Sequence, residues 1–559
     1  MKVQTVTEPY QPLDLIVAGD GNQITVEFDV SHNHQVKLGD RYVAQFADGS
    51  LAVLRVVNHA FDEGDTPLIR RYNRAQREGT VGPPRSRQSR EALQRMLVTM
   101  QIEGELHPDG RRTFGARRLP ERATPVWPIT EEQLERFSST PDGNLILGVL
   151  MATDHHPIAK IAKIKHNFAG ERLVLLGMPG SGKSQLVRAI LSQHMAQSTA
   201  PNMRLPGMLI LDRAGEYIED SYSEAGYRIY GLPHHPNAPE RLVIVSHQEK
   251  FRQMAAAGRI LAHLRPVFNL QDIDPIDLCD FYPSLTPVQR GLLRDYAHDP
   301  HLYAKLLRET KLGLVDKSHW FRDFPGLFEL TKNGKALMKQ FEDEADTEDV
   351  LSDEQIDELL PHLGGSKHKV MERLILGIKR FAGNPFLGGQ KRGRDILRVP
   401  SCVGHILKHL QAGRTVIIDL RGVDKENYTL VAALFARKLL TENKQRSDGQ
   451  QIHTCLVVEE AQNLLSESEL RKGLGRGSVF FELAREGRKL KLGFVLVTQQ
   501  PDPRSIATEI AATLDTVVAF NMPPDNALYL NRIKGVFDRW QNTITEAHTF
   551  EAHVKNKCE

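Results

Sequence analysis

Cysteine is scarce in this chain. Cys279, Cys402, Cys455 and Cys558 are the only four in 559 residues, and no two form a C-x-x-C pair. That excludes a disulfide framework and a cysteine zinc site, and four scattered thiols suit a reducing, cytosolic compartment. Long hydrophobic runs are lacking too: nothing approaches the roughly eighteen apolar residues a membrane span needs. The N-terminus has no basic segment followed by an apolar one, so no secretory leader is expected. Nor does charge of one sign dominate. Lys and Arg total 72 against 70 for Asp and Glu, a net of +2, so any surface for nucleic acid has to be local. No fixed-period repeat is visible. These absences leave a soluble, cytoplasmic protein as the expectation.

What is present is more specific. A chain of 559 residues exceeds one hydrophobic core, and about three packing units are expected. Residues 13–60 alternate apolar and polar positions between the turn signals Gly19-Asp20-Gly21, Gly39-Asp40 and Asp48-Gly49. This pattern predicts a small antiparallel barrel or meander. Arginine then crowds residues 65–125, where TVGPPRSRQS reads as an exposed loop and LVTMQIEGEL as a strand returning to the barrel. Those arginines suit a solvated or subunit-facing surface, and equally a phosphate backbone. Residues 142–150 read as a connection into the next unit.

Residues 173–190, LVLLGMPGSGKSQLVRAI, place an apolar strand, a glycine-rich turn and a helix start in succession. Gly177 to Ser184 fits G-x-x-x-x-G-K-[ST] in the strand–loop–helix context of a P-loop. Glycines let backbone N–H groups turn inward around phosphate oxygens, and the helix N-terminus adds its positive dipole end. Gly177, Pro179, Gly180, Ser181, Gly182, Lys183, Ser184 and Gln185 are therefore the candidate ATP contacts. Lys183 would neutralise β/γ charge and Ser184 would ligate Mg²⁺.

Further apolar runs occur at 207–217 (GMLILDRAGEY), 241–246, 414–420, 453–460 (HTCLVVEE), 492–500 (LGFVLVTQQ) and 515–520. Short, continuous and apolar, they predict strands buried on both faces of a mostly parallel sheet, with helices such as 427–443 between them. Residues 250–399 read as mainly helical. The expected architecture is an α/β P-loop ATPase core of RecA type over 141–249 and 400–535. A β-barrel over 1–140 precedes it, a helical bundle over 250–399 interrupts it, and a short tail over 536–559 follows.

LVVEEAQNLL at 456–465 is an apolar strand ending in two carboxylates, as a Walker-B element requires. Glu459 is assigned to the metal side and Glu460 to polarising the attacking water. Asp212 and Glu216 in LDRAGEY follow a strand end and are expected to position water or phosphate contacts. In AREGRKLKLGFVLVTQQP, Thr498, Gln499 and Gln500 end a strand with amide and hydroxyl groups able to sense a γ-phosphate. Arg485, Arg488 and Lys489 are candidates to project from the subunit surface. Two glycine-basic loops are candidates for DNA contact without base reading: RKGLGRG, with Arg471, Lys472 and Arg476, and GGQKRGRD, with Lys391 and Arg392. An ordinary surface turn is the alternative for both.

The order GMPGSGKS, LDRAGEY, VVEEAQNLL, REGRKLKLGFVLVTQQP resembles the HerA branch of the HerA/FtsK DNA-translocase superfamily, over most of the chain. The resemblance implies a hexameric ring that moves double-stranded DNA through a channel, often with a partner nuclease. It also implies that Lys183 and Ser184 bind ATP and Mg²⁺, that Glu460 is catalytic, that Gln499 is sensor-like and that Arg485 or Arg488 is the finger for a neighbour's nucleotide. Glu459-Glu460 departs from the commoner Asp-Glu, and Gln500 stands where an arginine often follows. The short stretch after the last core strand leads to the expectation of a reduced carboxy-terminal brace. The competing reading is an oligomeric ATP-binding scaffold that assembles and regulates an effector with little translocation. An ABC-type transporter ATPase is disfavoured, since no LSGGQ-like signature precedes VVEE.

Overall fold

The computed structural model describes residues 15–28, 36–61, 96–115, 117–140, 142–151, 157–197, 204–222, 226–268, 329–344, 358, 362–364, 391–392, 395–396, 401–423, 425–465, 479–499, 506, 508–526 and 552–555. Contacts divide the chain into two compact units, one chiefly Met1–His166 and one beginning at Asn167.

In the first unit β1 (Leu15–Asp20), β2 (Gln23–Phe28), β3 (Arg41–Gln45), β4 (Leu51–Phe61), β5 (Met96–Leu106), β6 (Arg112–Phe114) and β7 (Val126–Pro128) share one antiparallel sheet. Its order is β1-β2-β5-β4-β3-β7, with β6 on β5. Leu15 bridges Pro125, just ahead of β7, and the Ile16 N–H donates to the Thr124 carbonyl at 3.1 Å, so the two ends of the strand path meet. Period-two alternation buries Ile24, Val26 and Phe28 of β2 with Val98, Met100 and Ile102 of β5 in a common core. Arg118 and Arg112 are consumed inside this unit. The Arg118 guanidinium bonds Asp48 at 2.8 Å and Glu105 at 3.0 Å and lies 4.0 Å from the Phe46 ring centroid. Arg112 donates to the Phe137 and Ser139 carbonyls at 3.1 and 2.9 Å. These two therefore act as structural ties, while the arginines from 70 to 95 lie outside the described residues.

Helix α1 (Glu131–Ser138) starts in a capping box, with Thr130 Oγ1 accepting from the Gln133 N–H and the Gln133 side chain from the Thr130 N–H. Residues 142–150, expected to lead into the core, instead form an arm of an antiparallel hairpin, β8 (Leu145–Met151) with β9 (Pro157–Ile164). The division between units falls after this hairpin rather than at residue 140.

The second unit contains, in chain order, β10 (Arg172–Leu176), α2 (Lys183–Ala196), β11 (Gly207–Asp212), β12 (Ser221–Tyr222), β13 (Arg228–Ile229), β14 (Leu242–Val245) and β15 (Ala262–Leu264). Two small antiparallel pairs follow, β16 (Glu329–Leu330) with β17 (Leu363–Gly364) and β18 (Lys391–Arg392) with β19 (Asp395–Ile396), and α3 (Lys332–Glu344) lies between β16 and β17. Next come α4 (Val403–Gln411), β20 (Thr415–Asp419), α5 (Lys425–Gln445), β21 (Thr454–Val458), α6 (Val479–Glu486), β22 (Leu492–Thr498), β23 (Thr516–Phe520) and β24 (Ala552–Lys555).

Nine of these strands make one sheet in the order β15-β14-β20-β11-β21-β22-β10-β23-β24. Every neighbouring pair is parallel except β23 with β24. All residues of β10, β11, β14, β20, β21, β22 and β23 are buried, which explains why their interiors are apolar and polar residues such as Arg172, Asp212 and Thr498 stand only at their ends. The mixed α/β class with a parallel sheet is as expected. Two strands depart from expectation. β15 lies in the stretch read as helical insertion and β24 in the stretch read as a tail. Among the described residues each sits at a sheet edge and pairs on one side, so neither needs an apolar run to be stable there. Most of 250–399 lies outside the described residues.

His194 locks α2 to the sheet in its neutral form. Its Nε2–H donates to the Pro206 carbonyl at 2.8 Å, and Nδ1 accepts from Thr415 Oγ1 at 3.4 Å. Burial pushes its pKa down to about 4. The unfolded chain takes up this proton near pH 6.5 and the folded chain does not, so stability falls as pH drops from about 6.5 towards 4. The full shift corresponds to roughly 3 kcal/mol. Urea melts across that window should show the loss, and His194→Gln should flatten it.

Candidate nucleotide site at the carboxyl edge of the sheet

Because neighbouring strands run parallel, the residues following Leu176, Asp212, Val458 and Thr498 all emerge at one edge, where open α/β sheets bind ligands. The P-loop occupies the end of β10. A Cβ on Gly177 would meet Phe520 Cβ at 2.6 Å and Ser181 Oγ at 2.8 Å, so only glycine fits. Gly182 caps α2 at φ 106°, a left-handed conformation open to glycine. As the N-cap of α2, Gly182 offers no side chain to the first-turn N–H groups.

Lys183, 6 % exposed, donates from Nζ to the Gly177 and Met178 carbonyls at 2.8 and 2.6 Å. Burial pulls its pKa down to about 8, and the Glu460 and Glu216 carboxylates oppose that shift. Ser181 is buried, and its Oγ has no hydrogen-bond partner among the described residues. A glycine-walled loop with a buried lysine and an orphaned hydroxyl fits a polyphosphate. Pro179 and Gly180 form its tip, and Ser184 and Gln185 begin the helix.

Two strands over from β10, β21 ends in the carboxylate pair. Glu459 is buried, with Oε1 accepting from the Tyr217 hydroxyl at 2.6 Å and Oε2 from the Arg213 N–H at 3.3 Å. Burial pushes its pKa up to about 8, with the Asp212 carboxylate adding to the effect. Tyr428 donates to the Glu459 carbonyl at 2.7 Å. Glu460 is different. It adopts φ 51°, an uncommon left-handed conformation for a residue with a side chain. Its Oε1 accepts from Gln499 Nε2 at 2.6 Å, and Oε2 from the Gln462 amide. Gln462 Oε1 in turn accepts from Thr498 Oγ1 at 2.7 Å. Glu460 and Gln499, 39 residues apart, are thus brought into direct contact.

The remaining candidates divide. Asp212 is fully buried and accepts from the Gly215, Glu216 and Tyr217 N–H groups at 2.7, 3.1 and 3.2 Å. Burial raises its pKa to about 6 against those bonds. Its carboxylate builds the turn that presents Tyr217 to Glu459. The Glu216 side chain is exposed, and its carboxylate acts on Lys183 through space. Arg485, near the end of α6, and Arg488, just beyond it, are both exposed. Lys391 and Arg392 lie in β18, while Arg471, Lys472, Arg476 and Gln500 lie outside the described residues. Sequence reasoning missed Tyr217, Tyr428 and Gln462. Tyr217 closes the LDRAGEY motif and Gln462 lies two residues past Glu460, so their positions were the available signal.

For Mg²⁺, Ser184 and Glu459 supply hard oxygen donors of the right kind. Among the described residues no group of three His, Cys, Asp or Glu side chains could hold a metal. Mg²⁺ keeps several waters and binds through one or two protein groups plus phosphate.

The family model described as "Helicase HerA, central domain" matches residues 159–439, just over half the chain. The chain belongs to the HerA family. The protein named DNA double-strand break repair helicase HerA of Sulfurisphaera tokodaii is 22 % identical to this HerA-family chain over 389 residues. Its namesake in Sulfolobus acidocaldarius is 25 % identical over 392 residues. Each alignment covers 68 % of this chain, and the chain spans 60 % of the length of these curated relatives. Among solved structures, the plasmid coupling protein TrwB in complex with the ATP analogue ADPNP is similar at TM-score 0.40 and 12 % identity, over 77 % of this chain and 90 % of that one. VirB4 of Thermoanaerobacter pseudethanolicus is similar at TM-score 0.40 and 12 % identity, over 76 % and 98 %. Among the described residues, no helix is long and apolar enough to cross a membrane.

Proposed function

We propose that this HerA-family chain is an ATPase that drives double-stranded DNA translocation as a ring, working with a nuclease or other effector in DNA processing or anti-phage defence. The observation that carries the reading is the convergence of Lys183, Glu460 and Gln499 on one sheet edge, with Glu460 bonded to Gln499 and acting on Lys183. In this mechanism the P-loop N–H groups and Lys183 hold the β/γ-phosphates and stabilise charge as it develops. Ser184 and Glu459 would hold Mg²⁺, which when bound would supply further charge neutralisation. Glu460 orients and polarises the attacking water, and the Gln499 amide ties its carboxylate to the end of β22. Arg485 or Arg488, both exposed, reaches a neighbouring subunit's nucleotide.

The first unit is read as a small closed barrel because Leu15 and Ile16 bond the segment ahead of β7. The basic loops at 388–395 and 471–477 are the candidates for DNA contact. The test is ATP-dependent displacement of a triplex-forming strand from duplex DNA by the chain with its effector. Displacement that requires ATP hydrolysis is expected. An intact ring that hydrolyses ATP and activates its effector without displacing the strand would make it a scaffold.

A further inference from the structure

Two amides from neighbouring strand ends grip the Glu460 carboxylate. β21 ends at Val458, and the chain turns through Glu459 and Glu460 into a short helix over Gln462–Leu465. This turn is anchored to the sheet. The Ala461 N–H donates to the Val497 carbonyl of β22 at 3.0 Å, and the Leu464 and Leu465 N–H groups donate to the Ala461 carbonyl at 3.0 and 2.9 Å. Ala461, Leu464 and Leu465 are buried. Gln462 therefore springs from a fixed backbone, beside the fully buried Thr498 at the end of β22.

The hydrogen bonds run in one direction. The Thr498 hydroxyl donates to Gln462 Oε1 at 2.7 Å, which turns Gln462 Nε2 towards Glu460 Oε2, and there it donates. The reversed amide would set its oxygen against the carboxylate. From the other side, Gln499 Nε2 donates to Glu460 Oε1 at 2.6 Å. The terminal torsion of a glutamate is broad, so a carboxylate held through one oxygen still swings about that contact. Held through both, its plane is fixed. The two donors take two of its roughly four acceptor sites and leave the rest for water.

We propose that Gln462, oriented by the Thr498 hydroxyl, is a positioning residue that aims the Glu460 carboxylate at the attacking water. This rests on the reading of Glu460 as the group that polarises water, and it adds a residue that acts through Glu460. The need for such a residue is geometric. Glu460 is a long, rotatable side chain on an αL backbone, and its own torsions do not direct it at one point. A misplacement of about 1 Å at a reacting group costs on the order of 100-fold in rate. An amide fixed by a buried hydroxyl on a neighbouring strand removes that freedom before nucleotide arrives.

Turnover, equilibrium ATP binding and thermal melting of the full chain test this together. Gln462→Ala is expected to lower kcat by roughly 10- to 100-fold, with ATP affinity within about twofold of wild type. Gln462→Glu keeps the size and shape but turns the donor into a second carboxylate facing Glu460. It is expected to lose at least as much, whereas a residue that only fills space would tolerate it. Thr498→Val should cost roughly 2- to 10-fold in kcat, and Thr498→Ser, which keeps the hydroxyl, should restore the rate. In a Glu460→Gln background, adding Gln462→Ala should slow single-turnover hydrolysis by less than about threefold, because the group being aimed is gone. Wild-type or faster turnover in Gln462→Ala or Gln462→Glu, or full additivity with Glu460→Gln, would overturn the positioning role and leave the reading of Glu460 in place. Wild-type turnover by Glu460→Gln alone would overturn that reading itself.

Discussion

Glu460→Gln should cut ATP hydrolysis by roughly 100- to 10,000-fold, the range for removing a positioned general base, while ATP binds within a few-fold of wild type. The amide cannot accept a proton from water, yet it keeps the shape that bonds Gln499 and Gln462. The backbone supplies an independent control. Glu460 holds φ 51°, where a side chain costs about 1 kcal/mol that glycine does not incur. Glu460→Gly is therefore expected to be inactive but to melt no earlier than wild type. Single-turnover hydrolysis alongside thermal melting checks both. A Gln variant that turns over at wild-type rate would remove Glu460 from the chemistry.

Lys183→Ala should weaken ATP by roughly 10- to 100-fold, as expected for losing hydrogen bonds from a charged donor. Hydrolysis should fall further, to background, because the ammonium also meets charge that develops in the transition state. Its fold should survive. Burying this ammonium is already unfavourable, as the depression of its pKa to about 8 shows, so its removal takes away a cost along with two bonds to loop carbonyls. Nucleotide titration and steady-state hydrolysis on one preparation separate the two losses. Hydrolysis by this variant within twofold of wild type would contradict the assignment of Gly177–Ser184.

The central strands were legible because burial on both faces leaves no polar position to interrupt them. β11, β20, β21, β22 and β23 fall inside the runs 207–217, 414–420, 453–460, 492–500 and 515–520. Edge strands follow another logic. β15 and β24 are held by one neighbour each, and three or four residues such as Ala262–Leu264 carry no periodicity to detect. At the candidate site, the sequence offered residues as candidates where they follow one another at fixed spacing: the phosphate loop, the carboxylate pair, Gln499 at a strand end. Contacts made only by folding were not visible in it. Asp212 looked like a water-positioning acid and proves to be a turn cap, since its oxygens face three backbone N–H groups. Tyr217 reaches Glu459 across 242 residues, a pairing no local pattern encodes. Arg112 and Arg118 belonged to a stretch that suited phosphate or solvent, and their partners in the β3–β4 turn, in β5 and at the end of α1 could not be inferred before those elements were packed.

The rate of ATP hydrolysis by the chain, measured with and without duplex DNA, tests the proposed motor most directly. A DNA motor predicts a rate that rises when duplex is added and collapses in Lys183→Ala and Glu460→Gln alike. One rate in both conditions, sensitive to those substitutions yet indifferent to DNA, would contradict it.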